Sequence, residues 1–224
     1  MDNHDQEEQE ALPADTLAIL TQFLNEKEER NRRLQEALER NLTEGDLELE
    51  EDWQLSQFWY DDETCQTLTK EIVRLRDANS SSEEIRVACV SCPTLYRALR
   101  LNKLEKVSVK LLEFDTRFAA YGEDFVMYDF SSPLDLPRDF RSAFDVVIAD
   151  PPFLSEECLT KTAVTIRYLT KGPVILCTGA IMTELANRLL SVTPSSRFFP
   201  KHKNNLANEF RCFANYDIDA FLNP

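Results

Sequence analysis

Glycine is scarce. The 224 residues hold four, at positions 45, 122, 172 and 179. Neither a G-x-G-x-x-G turn nor a glycine–lysine phosphate loop can be assembled from them, so a cofactor gripped by its pyrophosphate is disfavoured. Histidine is scarcer still, with only His4 and His202. Cys89 and Cys92 stand in C-x-x-C spacing, but no second pair follows, and a zinc site lacks its four ligands. Cys65, Cys158, Cys177 and Cys212 read, like that pair, as reduced packing residues. No apolar run is long enough to cross a bilayer, and the start "MDNHDQEEQE" is neither a signal peptide nor a basic transit peptide. A cytoplasmic protein without a membrane partner is expected.

A basic stripe is also missing. The net charge is −15, of which −12 falls on residues 1–52 and −3 on the remainder. Neither part offers the surface that a phosphate backbone requires, which disfavours nucleic acid. The acidic N-terminal arm suits a basic protein partner instead. In that arm, Leu17, Leu20, Phe23, Leu24, Leu34 and Leu38 give one apolar stripe behind the candidate cap Asp15, which predicts a helix over about 16–40. Gly45 and the acids that follow it read as a linker. The domain boundary is placed at 52/53, with an acidic, partly helical arm over 1–52 and an α/β body over 53–224.

The body alternates strands and helices. Helix capping by Asp61 or Asp62 is expected after the aromatic segment "WQLSQFWY" (53–60). Strands are predicted over 85–90, 108–115, 125–130, 144–150, 173–179, 197–200 and 210–217, with helices over 94–104, 155–168 and 182–190. The strands are mostly apolar, which argues for a doubly wound, mostly parallel α/β sheet covered on both faces. Ligands bind such sheets beyond the carboxyl ends of the strands. Glu113 and Asp115, then Asp129, then Asp150 stand at those ends, while the first strand runs into Ser91, Cys92 and Pro93. Each acid alone could be a helix cap or a turn residue. Together they could take ribose hydroxyls, an adenine amino group and an acceptor nitrogen.

The stretch "FDVVIADPPFL" (144–154) is the sharpest feature. Pro151 and Pro152 lack N–H groups and fix their own φ, so they hold the Asp150 carboxylate and the neighbouring carbonyls at set spacing beside the ring of Phe153. A nitrogen could be aimed by such a corner, and the ring could stack on a flat base or pack on an aliphatic stem with a cationic head.

The segments "EEDWQLSQFWYDDET", "LLEFDTRFAAYGEDFVMYD", "SPLDLP", "FDVVIADPPFLSEECLTKT", "ILCTGAIM" and "NLANEFRCFANYD" resemble those of the eukaryotic elongation factor 1-alpha lysine methyltransferases, once classed as adenine-specific DNA methyltransferases. The resemblance implies a class I, Rossmann-like fold with a seven-stranded sheet and S-adenosylmethionine as cofactor. It gives Glu113 to the ribose, Asp129 with Phe130 to the adenine end, and Asp150, Pro151, Pro152 and Phe153 to the methyl acceptor. Where most members of the fold carry an acid and a glycine-rich loop, this chain has Cys89, Ser91, Cys92 and Pro93, as does the family it resembles. Backbone groups of Ser91–Pro93 are expected at the methionine end, with Trp59 and Tyr60 as covers.

Lysine and adenine acceptors differ chemically. An adenine amino group is neutral but must be flipped out of its helix. A lysine ammonium, with a reference pKa near ~10.4, must first lose a proton at a cost of roughly 4–5 kcal/mol at pH 7. The corner alone does not choose between them. The charge distribution and the resemblance favour lysine on elongation factor 1-alpha, against an adenine methyltransferase or an inactive scaffold of the same fold. Two loop features are expected to be bland: His202 between Lys201 and Lys203 as an exposed residue, and Asn208, Glu209 and Arg211 as a satisfied hairpin.

Overall fold

Asp61 opens the first helix. Its carboxylate accepts from the Thr64 amide at 2.8 Å and caps α1 (Asp62–Ala78). The chain then runs through β1 (Ile85–Val90), α2 (Pro93–Leu101), β2 (Val107–Glu113), a 3₁₀ segment (Thr116–Asp124) and β3 (Phe125–Met127). After a long connection come β4 (Val146–Ala149), α3 (Glu156–Leu169), β5 (Val174–Gly179), α4 (Thr183–Leu190), β6 (Thr193–Pro194) and β7 (Phe210–Ala214). This computed structural model describes residues 57–79, 84–204 and 208–220, all within the unit formed by residues 43–224. The helix expected over 16–40 and the linker beyond Gly45 lie outside the described residues.

The seven strands form one sheet in the order β3-β2-β1-β4-β5-β7-β6. Strands β1 to β5 pair in parallel, and β7 runs antiparallel to both β5 and β6. The chain winds outward from β1 to β3 and returns to lay β4 on the other side of β1. That reversal opens a crevice at the carboxyl ends of β1 and β4.

The strands are apolar because both faces are covered. Val87, Cys89, Val146 and Ile148 face one core with Leu68 and Ile72 of α1 and Leu95 and Leu99 of α2. Ala88, Val90, Val147 and Ala149 face the other, with Leu159, Ala163 and Ile166 of α3 and Leu185 and Ala186 of α4. Ile148 is completely buried, which contributes about 1.5–3 kcal/mol relative to exposure. Such double coverage is what keeps β4 rigid up to its last residue.

Four expectations are corrected. No strand forms over 197–200. The edge strand is β6, and the following backbone is taken up by side chains: the amides of Arg197 and Phe198 donate to Ser195 Oγ and that of Ser196 to Asp219. The second strand ends at Glu113, and Asp115 instead caps the 3₁₀ segment by accepting from the Arg117 amide at 2.9 Å. The third strand stops at Met127 and β7 at Ala214, each short of its expected end.

Candidate active site

A cavity of about 640 Å³ lies at the carboxyl edge of β1, β2 and β4. The residues given to the site by the resemblance all line it: Trp59, Ser91, Cys92, Pro93, Glu113, Asp129, Phe130, Asp150, Pro151, Pro152 and Phe153; the strand-end acid Asp115 does not. Its size is that of a site for a cofactor-sized molecule. No lysine or arginine lines it among the described residues.

The β1 wall turns sharply. Ser91 donates its amide to the Leu112 carbonyl at 2.8 Å and adopts a φ of 54°, the left-handed region that glycine usually fills. Cys92 then points inward, its thiol reaching the Ile148 carbonyl at 3.6 Å, and Pro93 begins α2. No side chain caps that helix, whose first residues Pro93 and Thr94 line the cavity.

The β2 wall carries Glu113, 6% exposed. Its Oε1 accepts the amides of Phe114 at 3.0 Å and Asp115 at 3.1 Å. Burial pushes its carboxyl up to about 7, although those two amides oppose the rise. After β3, Asp129 accepts the Ser131 amide at 2.8 Å, and Phe130 meets Phe153 edge-to-face with centroids 5.7 Å apart.

The β4 wall is the acceptor corner. The Asp150 amide donates to the Val90 carbonyl at 3.0 Å, one last ladder bond before the prolines. Its side chain is half-buried, opening onto the cavity, and the surrounding protein pushes its carboxyl up to about 7, with the Glu113 charge adding to the rise. Leu154 follows Phe153 and lies over Gly179 at the end of β5. A Cβ there would stand 2.9 Å from Leu154 Cδ2, so glycine makes room for the corner.

The fourth wall comes from the residues preceding α1. Asp61 donates its amide to the Lys201 carbonyl at 3.0 Å, and Lys203 donates to the Trp59 carbonyl at 2.8 Å, closing an antiparallel bridge between Tyr60 and His202. His202 is therefore not an exposed loop residue. It is half-buried in the cavity lining, with its ring 5.2 Å from Tyr60 and 4.8 Å from Phe210. Asn208 lines the cavity as well, while Glu209 and Arg211 pair with each other at 2.6 Å. Gln57, Phe58, Tyr60 and Phe210 also line the cavity and were not singled out as site residues from the sequence, except Tyr60 as a cover.

Comparison with known proteins agrees with this layout. A family model described as "Probable N6-adenine methyltransferase" matches residues 51–218. The EEF1A lysine methyltransferase 1 of Gallus gallus is 48% identical over 206 residues, covering 92% of this chain and 93% of its own. Its Homo sapiens counterpart is 52% identical over 170 residues, covering 75% of this chain and 77% of its own. Among solved structures, the branched-chain polyamine synthase of Thermus thermophilus shares the fold, with a TM-score of 0.57 at 15% identity over 80% of this chain and 62% of that one. By the family model that matches residues 51–218, this chain belongs to the family described as "Probable N6-adenine methyltransferase", and along most of its length it is similar to the EEF1A lysine methyltransferases.

Proposed function

We propose that the chain transfers a methyl group from S-adenosylmethionine to the side-chain nitrogen of a lysine on translation elongation factor 1-alpha, in the cytoplasm. The observation that carries the reading is that Glu113, Asp129 and the corner Asp150–Phe153 line one cavity at the switch point of the sheet. The relatives named as EEF1A lysine methyltransferases support the acceptor. Six buried cysteines without a disulfide suit a reducing compartment.

The residues present fit this cofactor. A nucleoside with a methionine tail and no phosphate needs hydroxyl and amine acceptors rather than cations, and the lining offers carboxylates and aromatic faces without lysine or arginine. Glu113 would accept from the ribose hydroxyls, its own orientation fixed by the amides of Phe114 and Asp115. Asp129 and Phe130 would hold the adenine end. Backbone groups from Ser91 to Thr94, at the uncapped start of α2, would meet the methionine carboxylate, and Trp59 would cover the ligand. The bound cofactor supplies an electrophilic methyl group.

Asp150 works on the acceptor. An ordinary aspartate would favour lysine's charged form and hinder proton loss. Here burial has already brought the carboxyl to about 7, close to neutral pH, so it can receive the ammonium proton and hand it on. The carbonyls of the stiff Pro151–Pro152 turn accept the remaining N–H groups and aim the lone pair. Phe153, 43% exposed, packs against the aliphatic stem. Ordering the amine in a site that excludes water supplies most of the rate.

Labelled cofactor with purified elongation factor 1-alpha, followed by peptide mapping, tests the reading. Label confined to one lysine peptide supports it. Label that disappears with nuclease rather than protease replaces it with an adenine methyltransferase, and absence of cofactor binding in calorimetry leaves a scaffold.

A further inference from the structure

Tyr60 presents an unsolved polar group. It is 1% exposed, and its hydroxyl is buried without a hydrogen-bond partner. A buried phenol ordinarily finds a partner, and an orphaned hydroxyl costs stability that phenylalanine would avoid. The orphan is not the result of a loose fit. Tyr60 is held on both sides, by the Asp61–Lys201 and Lys203–Trp59 backbone bonds, and its ring lies against His202.

The hydroxyl faces Asp150. It stands close enough to favour the ionised carboxylate and also lies within reach of the Cys177 thiol, yet no bond of proper geometry is closed with either. The other titratable groups that face these two side chains are Cys92 after β1, Cys177 on β5, Glu113 at the end of β2 and His202 on the loop before β7. Two are thiols, Cys92 spends its Sγ on Ile148, and Glu113 repels a second negative charge. No lysine or arginine is among them. His202 meets Tyr60 ring to ring, and the group placed to donate to an ionised Asp150 is the Tyr60 hydroxyl.

We infer that Tyr60 is the positioning residue of the acceptor corner: its unpaired hydroxyl is kept for the Asp150 carboxylate, fixing one oxygen from behind so that the other faces the lysine nitrogen. The inference rests on the reading of the cavity as the methyl-transfer site. Proton exchange between Asp150 and the amine then occurs against a fixed donor, without rotation of the carboxyl group. Tyr60 itself stays protonated throughout, because burial and the Asp150 charge hold its hydroxyl well above its ordinary value. It donates and never titrates.

The test uses the full chain with Tyr60→Phe. Its melting temperature should equal or exceed that of the parent, because an unsatisfied hydroxyl is removed. In the cofactor-free protein, the Asp150 carboxyl carbon followed by NMR should titrate at higher pH than in the parent. With elongation factor 1-alpha as substrate, kcat should fall at least tenfold, with KM and cofactor affinity retained, and the acid limb of the kcat profile should move to higher pH. Substitution of 3-fluorotyrosine at position 60, a stronger donor of nearly the same shape, should move the Asp150 titration the opposite way. A lower melting temperature with an unchanged Asp150 titration would make Tyr60 a packing residue and overturn the inference. Unchanged kcat with an unchanged acid limb overturns it as well. Failure of the parent itself to methylate any protein, with the Asp150 titration still responding to both substitutions, would instead sink the functional reading and spare the Tyr60–Asp150 pair.

Discussion

Arg117 closes on the Asp115 carboxylate at 2.6 Å, and Gln57 ties to both, donating to Asp115 at 2.9 Å and accepting from Arg117 at 2.9 Å. All three residues are buried. The network fastens the residues before α1 onto the loop whose Phe114 and Asp115 amides hold Glu113. Two walls of the cavity thus move as one.

Removing one partner of a buried ion pair strands the other. Arg117→Ala should therefore lower stability by about 3–5 kcal/mol, which calorimetry would show as a melting point lower by roughly 6 °C or more. Gln57→Ala removes neutral hydrogen bonds and should cost about 1 kcal/mol. Both should weaken cofactor binding, because the loop that fixes Glu113 loses its anchor. Similar losses from the two variants would mean that the charge pair is not the main anchor.

Glu113→Gln keeps the shape and removes the charge. Hydrogen bonds to a charged group contribute about 1.5–3 kcal/mol, so the dissociation constant for S-adenosylmethionine should rise roughly 10- to 100-fold in isothermal titration. The KM for the protein substrate should stay near its parent value. Unaltered cofactor affinity would take the ribose role away from Glu113.

The acids were legible in the sequence because strand-end placement follows from the alternation of apolar strands with helices, and in a parallel sheet those carboxyl ends share one edge. The partnership of Tyr60 with His202 was not, since it joins segments about 140 residues apart through a single bridge. A local signal did exist. In Lys201–His202–Lys203 the two lysines are exposed and the histidine between them is not, which is the period of two of an extended segment with one face turned inward. Charge on both neighbours hid it. The apolar run at 197–200 misled for the opposite reason: Phe198 is buried from a turn, and Phe199 stays 42% exposed under Arg211.

The acidic arm is assigned to substrate docking from charge alone, −12 over residues 1–52. Deleting residues 1–40 should raise KM for elongation factor 1-alpha while leaving cofactor affinity as it was. The difference between full-length and truncated enzyme should shrink as salt is raised, because screening acts on exposed charge. Equal KM values at low salt would refute the docking role.

Stability should also report on Asp150. Its carboxyl moves from an ordinary 3.8 to about 7 on folding, and Glu113 moves from 4.5 to about 7. Between pH ~4 and ~7 the folded state therefore binds more protons than the unfolded one, and stability falls as pH rises through that window. Ionising Asp150 in the fold costs at most about 4 kcal/mol from a shift of roughly three units, less where the cavity admits water. Because Glu113 and Asp150 feel each other's charge, the decline belongs to the pair and has no single midpoint. Asp150→Asn removes the Asp150 share of it and its coupling to Glu113. In the cofactor-free protein that variant should melt higher than the parent at pH 8 and close to it at pH 4, while methyl transfer is abolished and cofactor binding persists. A variant less stable than the parent at pH 8 would mean that the native carboxylate is stabilised by partners at that corner, and that the proton-accepting role assigned to Asp150 is wrong.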